Sequence, residues 1–272
     1  GFSSFLERPL FSNDTLYKQE YNYNPKSNLC FVFCHFDMDG ELNESVKHYL
    51  KSIAAIGDII FVSNAPLLSN NESALEFLNK ICMNVYVRNN DSYDFGCWAY
   101  GITNNLPQIR LHYQALICCN DSCFGPLCNL TPIIDDFILG DVDVGGLTAN
   151  KDRGLHLQSY FVFYNKDILS SSLFQTFWEN IRSWPEKDDI INHYEVSWLR
   201  VLILSGFNVS VYFSEYFDSS NNTVMRPLEL LQTGFPFIKR EVIEKNPFNI
   251  DLDQFITSAS RIHPDVSCLI HL

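Results

Sequence analysis

The stretch from Leu29 to Cys119 alternates short apolar runs with amphipathic segments, and this alternation constrains the fold more than any other feature. Leu29–Phe36 is a continuous apolar run, the pattern of a strand buried on both faces. Glu44–Ile56 has helical spacing, with Val46, Tyr49, Leu50 and Ile53 on one side. Asp58–Ser63 reads as a second strand, and Glu72–Cys82 as a second helix with Leu75, Leu78 and Ile81 on one face. Asn84–Val87 reads as a third strand, Phe95–Thr103 as the start of a third helix, and Tyr113–Cys119 as a fourth strand. This β-α-β-α-β-α-β order implies an α/β fold, a mostly parallel sheet flanked by helices. In such a sheet the ligand site lies beyond the carboxyl ends of the strands. Those ends carry His35-Phe36-Asp37, Ser63-Asn64, Arg88-Asn89-Asn90 and Asn120-Asp121-Ser122.

Beyond this half the rhythm changes. Pro132–Leu139 reads as a helix and 140–155 as a Gly- and Asp-rich loop. Leu157–Tyr164 reads as a strand, Leu173–Trp184 and Asn192–Ser205 as helices, and Asn208–Phe213 as a strand. Pro227–Gln232, Lys239–Glu244 and Leu252–Ile262 read as short helices. Three regions are expected: an irregular N-terminal arm over 1–28, a core over 29–215, and a C-terminal helical appendage over 216–272 that completes the same domain. The chain opens on Gly1 and not on Met, which reads as a piece of a longer protein.

Composition narrows the function classes. A net charge of −13 sets the average surface against nucleic acid and anionic bilayers, while leaving room for a local basic pocket. The nine cysteines include an adjacent pair, Cys118-Cys119, and several inside apolar runs. They read as reduced, buried thiols of a cytoplasmic protein. Cys118, Cys119, Cys123 and Cys128 lie close in sequence but lack the paired CxxC spacing of a zinc site. Val196–Leu204 is too short to span a bilayer and carries Arg200, so association with a membrane would be peripheral and through other segments.

Several short motifs have a chemical and a plain reading side by side. Asp121 follows a strand directly, where a carboxylate could hold a divalent ion at a diphosphate; Asn120-Asp121-Ser122 is equally good turn chemistry. In Tyr93-Asp94-Phe95-Gly96, Asp94 is either a helix cap or a ribose contact, and Gly96 permits close backbone approach. His156 and Gln158 precede a strand and could meet a phosphate or a hydroxyl. Glu195 stands in the first turn of a helix, favoured there by the dipole and placed where a general base could project. Lys239-Arg240 is a basic pair in an acidic chain, either a solvated helix start or a diphosphate contact. Asp141-Val142-Asp143 has the form of a DxD metal motif but does not follow a strand.

In order along the chain, these segments resemble one family, the rhamnan-synthesis F family of bacterial polysaccharide glycosyltransferases. The resemblance runs over about 29–247. It rests on Cys34-His35-Phe36-Asp37, Phe61-Val62-Ser63-Asn64 and Tyr93-Asp94-Phe95-Gly96-Cys97-Trp98-Ala99-Tyr100-Gly101. It continues through Asn120-Asp121-Ser122-Cys123-Phe124-Gly125-Pro126, Gly146-Leu147-Thr148 and His156-Leu157-Gln158-Ser159-Tyr160-Phe161. Tyr194-Glu195, Pro236-Phe237-Ile238-Lys239-Arg240 and Asn246-Pro247 complete it. One departure is Gly145, where the pattern leads one to expect a bulky aromatic, which puts the pocket and the sugar identity in question.

The resemblance implies a GT-A-like, Rossmann-type architecture and transfer of a sugar, L-rhamnose from dTDP-rhamnose, to a growing surface polysaccharide such as O-antigen. A galactofuranosyl or hexosyl transfer from a UDP-sugar, and a non-catalytic binding module of a larger synthase, are the competing readings. The implied partners are a nucleotide-diphosphosugar donor and a lipid-linked or oligosaccharide acceptor. Transfer with inversion would use Glu195 as base and Asp121 as ligand of Mg²⁺ or Mn²⁺, with metal-independent transfer the alternative. His35, Asp37, Asp94, Gly96, Asn120, His156, Gln158 and Lys239 would line the donor site.

Overall fold

A computed structural model describes residues 7–21, 24–214 and 221–271. Its centre is an eight-stranded sheet. The strands are β1 (Tyr17–Glu20), β2 (Leu29–His35), β3 (Asp58–Ser63), β4 (Asn84–Val87), β5 (Ala115–Asn120), β7 (Val144–Gly146), β10 (Phe161–Asn165) and β11 (Val209–Val211). Among the described residues, four short strands lie outside it: β6 (Cys123–Phe124), β8 (Ala149–Asn150), β9 (His156–Leu157) and β12 (Ile238–Lys239). The order across the sheet is β1-β4-β3-β2-β5-β10-β7-β11. The block β4-β3-β2-β5 is parallel, as is the pair β7-β11, whereas β1 and β10 run antiparallel to their neighbours.

The continuous apolar runs have a direct cause. Successive side chains of a strand point to opposite faces. In β2, Cys30, Val32 and Cys34 join the core on one face, and Phe31 and Phe33 join the core on the other. Helices α1 (Glu44–Ala54), α2 (Glu72–Ile81) and α4 (Thr131–Leu139) cover the Phe31 face. Helices α3 (Tyr93–His112), α6 (Ser172–Glu179) and α8 (Val196–Leu204) cover the Cys30 face. Helix α5 (Lys166–Ser170) lies between α4 and α6, and α7 (Lys187–Ile190) precedes α8. Asn43 and Asn71 cap α1 and α2 by accepting the amides of Val46 (3.0 Å) and Ala74 (3.1 Å).

Among its described residues the arm expected to be irregular carries one regular element. Its polar residues Tyr17–Glu20 form an edge strand on β4, with only alternate side chains half-buried. Upstream, Phe11 is buried in the core and its amide donates to the Ile181 carbonyl (2.9 Å). Four half-exposed residues carry too little hydrophobic period to be read as a strand. The strand expected over Leu157–Tyr164 is two, β9 and β10, and the helix expected over Leu173–Trp184 ends at Glu179. The single helix expected over Asn192–Ser205 is interrupted by a π-helical turn over Ile191–Glu195.

The boundary expected at 215/216 lies outside the described residues. From 221 onward the appendage builds a satellite core of Val224, Leu231, Val242, Phe255, Ala259, Val266 and Leu269 against Phe124 and Ile238. It is tied to the main body by β12 pairing with β6. Gly125, at φ +137°, makes this junction possible: a Cβ there would lie 2.7 Å from both the Phe237 ring and the Pro236 carbonyl.

Gly145 has a packing cause. A Cβ on it would lie 2.7 Å from Cε1 of Phe137 on α4, so that ring already fills the space an aromatic would need. The departure is thus absorbed in the core between β7 and α4, not in a pocket for substrate. Gly145→Ala should lower stability by about 1–3 kcal/mol through overpacking, measured by urea denaturation.

Candidate active site

Because β2, β3, β4 and β5 are parallel, their carboxyl ends open on one edge of the sheet. β10 runs the other way with Phe161 opposite Cys119, which brings the residues before it, Gln158 to Tyr160, to the same edge. β7 runs with β5, so Thr148 just after it arrives there too.

The centre of the edge is a hydrogen-bonded cluster around the Asn120-Asp121-Ser122 turn. Asn120 donates to Asp94 Oδ2 (2.9 Å) and accepts the Ser122 amide (3.1 Å) and hydroxyl (2.6 Å). The other oxygen of Asp94 accepts the Cys34 thiol (3.2 Å). Asp121 Oδ2 accepts the Phe36 amide (2.9 Å). Lys239 donates from Nζ to Ser122 Oγ (3.2 Å) and lies 4.2 Å from the Tyr160 ring centroid, a cation–π distance. Arg240 donates from Nε to the Asp121 carbonyl (2.7 Å) and from a terminal nitrogen to Ser45 Oγ, so it buttresses the turn from behind.

Burial pushes the Asp121 carboxyl up to about 7; the Phe36 amide opposes this, the Asp94 charge adds to it, and Arg240 offsets part of it. Mg²⁺ is commonly held by one or two carboxylates, substrate phosphates and retained waters. Asp121 fits that mode, with one oxygen fixed by Phe36 and a like charge beside it. Asp94 fits it less well, because protein donors take both of its oxygens. Among the described residues no group of three or more His, Cys, Asp or Glu gathers as a self-contained metal cage.

Glu195 closes the π-helical turn and accepts the Ser159 amide through Oε1 (3.0 Å). π turns recur at functional positions because the extra residue re-aims a side chain. The carboxylate also borders a small cavity of about 30 Å³, walled by Trp98, Trp178 and Trp198, with room for about one water.

Several other expected contacts are turned inward. His35 is buried and spends both ring nitrogens internally, on Ser63 Oγ (2.8 Å) and the Glu41 carbonyl (3.1 Å). Burial depresses its pKa to about 4, so it is a neutral strut for the loop after β2. Asp37 accepts the amides of Asp39 (2.9 Å) and Glu41 (3.0 Å) and shapes that loop. Gly96 gives its space to Ser92 and Arg88, not to a ligand. His156 is buried and bonded to the Gly154 carbonyl (2.7 Å) within the β8–β9 hairpin. Gln158 is buried and accepts from Thr148 (2.6 Å), which shares a second bond with the Tyr160 hydroxyl (2.6 Å); its amide donates to Asn221 (3.1 Å). In the DxD sequence Asp143 is structural, accepting Asn165 Nδ2 (3.0 Å) and the Asn208 amide (2.7 Å), while Asp141 is exposed. Cys118, Cys119 and Cys123 are buried in the packing, while Cys128 is exposed.

Two features escaped sequence reasoning. Asp94, expected as a helix cap or a ribose contact, is also the second carboxylate beside Asp121, a pairing that no local signal carries. The other is the Tyr160 ring against Lys239, a contact between residues 79 apart that leaves no local signal.

As a class, this is an α/β protein with a mostly parallel, helix-covered sheet and its polar groups gathered at the carboxyl edge. Residues 59–262 match the family described as rhamnan synthesis protein F. The chain belongs to that family, the one its motifs resemble. An uncharacterized protein of Sinorhizobium fredii is 28% identical over 178 residues, covering 64% of this chain and 45% of its own length. The chain thus spans less than half of that relative. Virulence protein VirA of Vibrio anguillarum is 23% identical over 274 residues, covering 87% of this chain and 86% of its own. Among solved structures, 4-diphosphocytidyl-2C-methyl-D-erythritol synthase of Anaerococcus prevotii aligns over 76% of this chain and 96% of its own, at 10% identity and a TM-score of 0.41. No helix among the described residues is long and apolar enough to cross a membrane.

Proposed function

We propose that this chain is a nucleotide-diphosphosugar-dependent glycosyltransferase of GT-A-like architecture. It moves L-rhamnose from dTDP-rhamnose, with inversion, to an oligosaccharide or lipid-linked acceptor of a growing bacterial surface polysaccharide such as O-antigen. Membership in the rhamnan synthesis protein F family supports the activity. The observation that carries the site is the meeting of Asp94, the Asn120-Asp121 turn and Lys239 at the carboxyl edge, from three separate parts of the chain.

In this reading Glu195 takes the proton from the acceptor hydroxyl while the acceptor oxygen forms its bond to the anomeric carbon. The bond from that carbon to the diphosphate oxygen breaks, and the nucleoside diphosphate leaves. Asp121 would hold Mg²⁺ or Mn²⁺, which when bound neutralises the departing diphosphate. Lys239 adds a preorganised positive charge on the same side. Asp94 acts through Asn120, whose amide it orients. His35 and Asp37 shape the loop that meets the nucleoside, and Gln158 and His156 brace the wall behind Tyr160 and Ser159.

The test is a thermal-shift panel of dTDP, UDP, GDP and CMP with and without Mn²⁺. A ligand that binds only the folded chain stabilises it by about 2.7 kcal/mol at a hundredfold excess over its Kd. A shift with dTDP alone supports the rhamnosyl reading. A shift with UDP alone turns it to a galactofuranosyl or hexosyl donor. No shift with any nucleotide, from a folded chain, overturns the transferase in favour of a binding module.

A further inference from the structure

Beside the carboxyl edge, three segments enclose a groove of about 380 Å³: the N-terminal arm, the loop after β4, and the loop after α6. Arg8, Asn90, Tyr93, Ser183, Trp184 and Pro185 line it. We propose that this groove is the acceptor subsite and takes a neutral saccharide unit. The inference rests on the glycosyltransferase reading and assigns it a second substrate site.

The groove is preformed. Ser183 ties two of its walls together, its amide donating to the Pro9 carbonyl (2.8 Å) and its hydroxyl to the Asp91 carbonyl (2.7 Å). Tyr93 donates from its hydroxyl to the Pro185 carbonyl (3.0 Å). Asp91 accepts the buried Arg88 guanidinium (2.6 Å) and the Ser12 amide (2.6 Å), which locks the arm to the loop. Walls fixed in advance spare a ligand the entropy of ordering them.

Its position is set from both ends. Tyr93 has φ 49°, a left-handed conformation that a bulky side chain adopts only when its surroundings enforce it. That turn sends Tyr93 into the groove wall and the next residue, Asp94, to Asn120 and the Asp121 turn. At the other end, Trp184 donates from its indole to the Tyr194 hydroxyl (3.1 Å), and Glu195 follows Tyr194. Along the chain the groove is one residue from Asp94 and, through the Trp184–Tyr194 hydrogen bond, one residue from Glu195.

Its chemistry suits a sugar. The Arg8 guanidinium lies 5.2 Å from the Trp184 ring centroid and the same ring stacks on His193 at 4.3 Å, so Trp184 holds Arg8 in place while the Tyr93 side chain, the Arg8 donors and the Asn90 amide line the groove. Its volume falls at the small end of ligand pockets. The larger groove, of about 700 Å³, lies around Gly57, Asp58, Cys82 and Met83, at the amino ends of β3 and β4. It is on the opposite edge from the carboxylates, so it is no rival for this role.

The probes are methyl α-L-rhamnopyranoside and methyl β-D-glucopyranoside, followed by ligand-observed NMR on wild type, Asn90→Trp and Arg8→Ala. Both positions are exposed, so both variants should fold; the dTDP or UDP thermal shift of each checks this independently. Saturation of at least one glycoside by wild type, weakened about tenfold in Asn90→Trp and reduced in Arg8→Ala with the nucleotide shift intact, is the expected result. Equal binding by all three proteins, or none by wild type, overturns the groove assignment while a nucleotide shift keeps the transferase reading alive. Absence of both glycoside binding and nucleotide shift overturns the two together.

Discussion

Glu195→Gln is expected to slow sugar transfer by about 10²–10⁴-fold, the range typical of removing a positioned general base. The substitution is conservative for the fold. Oε1 of Glu195 accepts the Ser159 amide, and a glutamine carbonyl can accept it equally well. What glutamine cannot do is take the acceptor's proton. The measurement pairs turnover with the nucleotide thermal shift. Loss of turnover with the shift unchanged places the defect in chemistry and not in donor binding. Turnover near the wild-type rate from a folded Glu195→Gln protein removes Glu195 from the base role.

Asp121→Asn should have two opposite effects. The Asp121 carboxyl is held at about 7, raised above its ordinary value of 3.8, so the fold favours its protonated form. That contribution is complete below about pH 4 and is lost as pH rises through 7, where the fold carries an ionised group next to Asp94. Asparagine imitates the neutral form and keeps an acceptor for the Phe36 amide. The free variant should therefore equal wild type near pH 4 and exceed it above pH 7. The gain is on the order of 2 kcal/mol, discounted for the partial exposure of the site. The same change should remove the Mn²⁺-dependent part of the nucleotide shift, because a neutral amide is a poor ligand for a hard cation. Chemical denaturation at pH 4 and pH 8 measures the first effect, and the Mn²⁺ panel the second. A variant that keeps the full Mn²⁺ dependence would take Asp121 out of the metal site.

The two predictions draw on different kinds of knowledge. Asp121 was visible as a strand-end carboxylate, because an apolar run that stops abruptly in Asn-Asp-Ser shows where the strand ends. Its raised pKa was not visible, because it comes first from burial, with the charge of Asp94, 27 residues away in sequence, adding to it. Glu195 was visible as an acidic residue at a helix start. Its partner Ser159 and the π turn that presents it belong to packing between β10 and the helix that follows α7. His35, Asp37 and His156 carried the right residue types for a ligand, yet their polar atoms serve loops and a hairpin. A polar residue at a strand end must find hydrogen-bond partners whether or not a ligand is near, and sequence does not show which partners it finds.

By itself, the sequence determined the alternation of strands and helices, because periods of 2 and 3.6 residues are written locally in the apolar positions. Through the parallel connections those elements require, it also determined that the polar strand ends from β2 to β5 gather at one edge, the carboxyl one. Only the tertiary structure decided that polar residues of the arm become an edge strand and that Phe11 is buried. It also decided that Phe137 fills the space above Gly145, and that Lys239 meets Ser122 across 117 residues of chain. The physical reason is that such contacts depend on strand order, on register and on how the appendage packs through β6 and β12. These are fixed by the free energy of the whole core and leave no period in the local sequence.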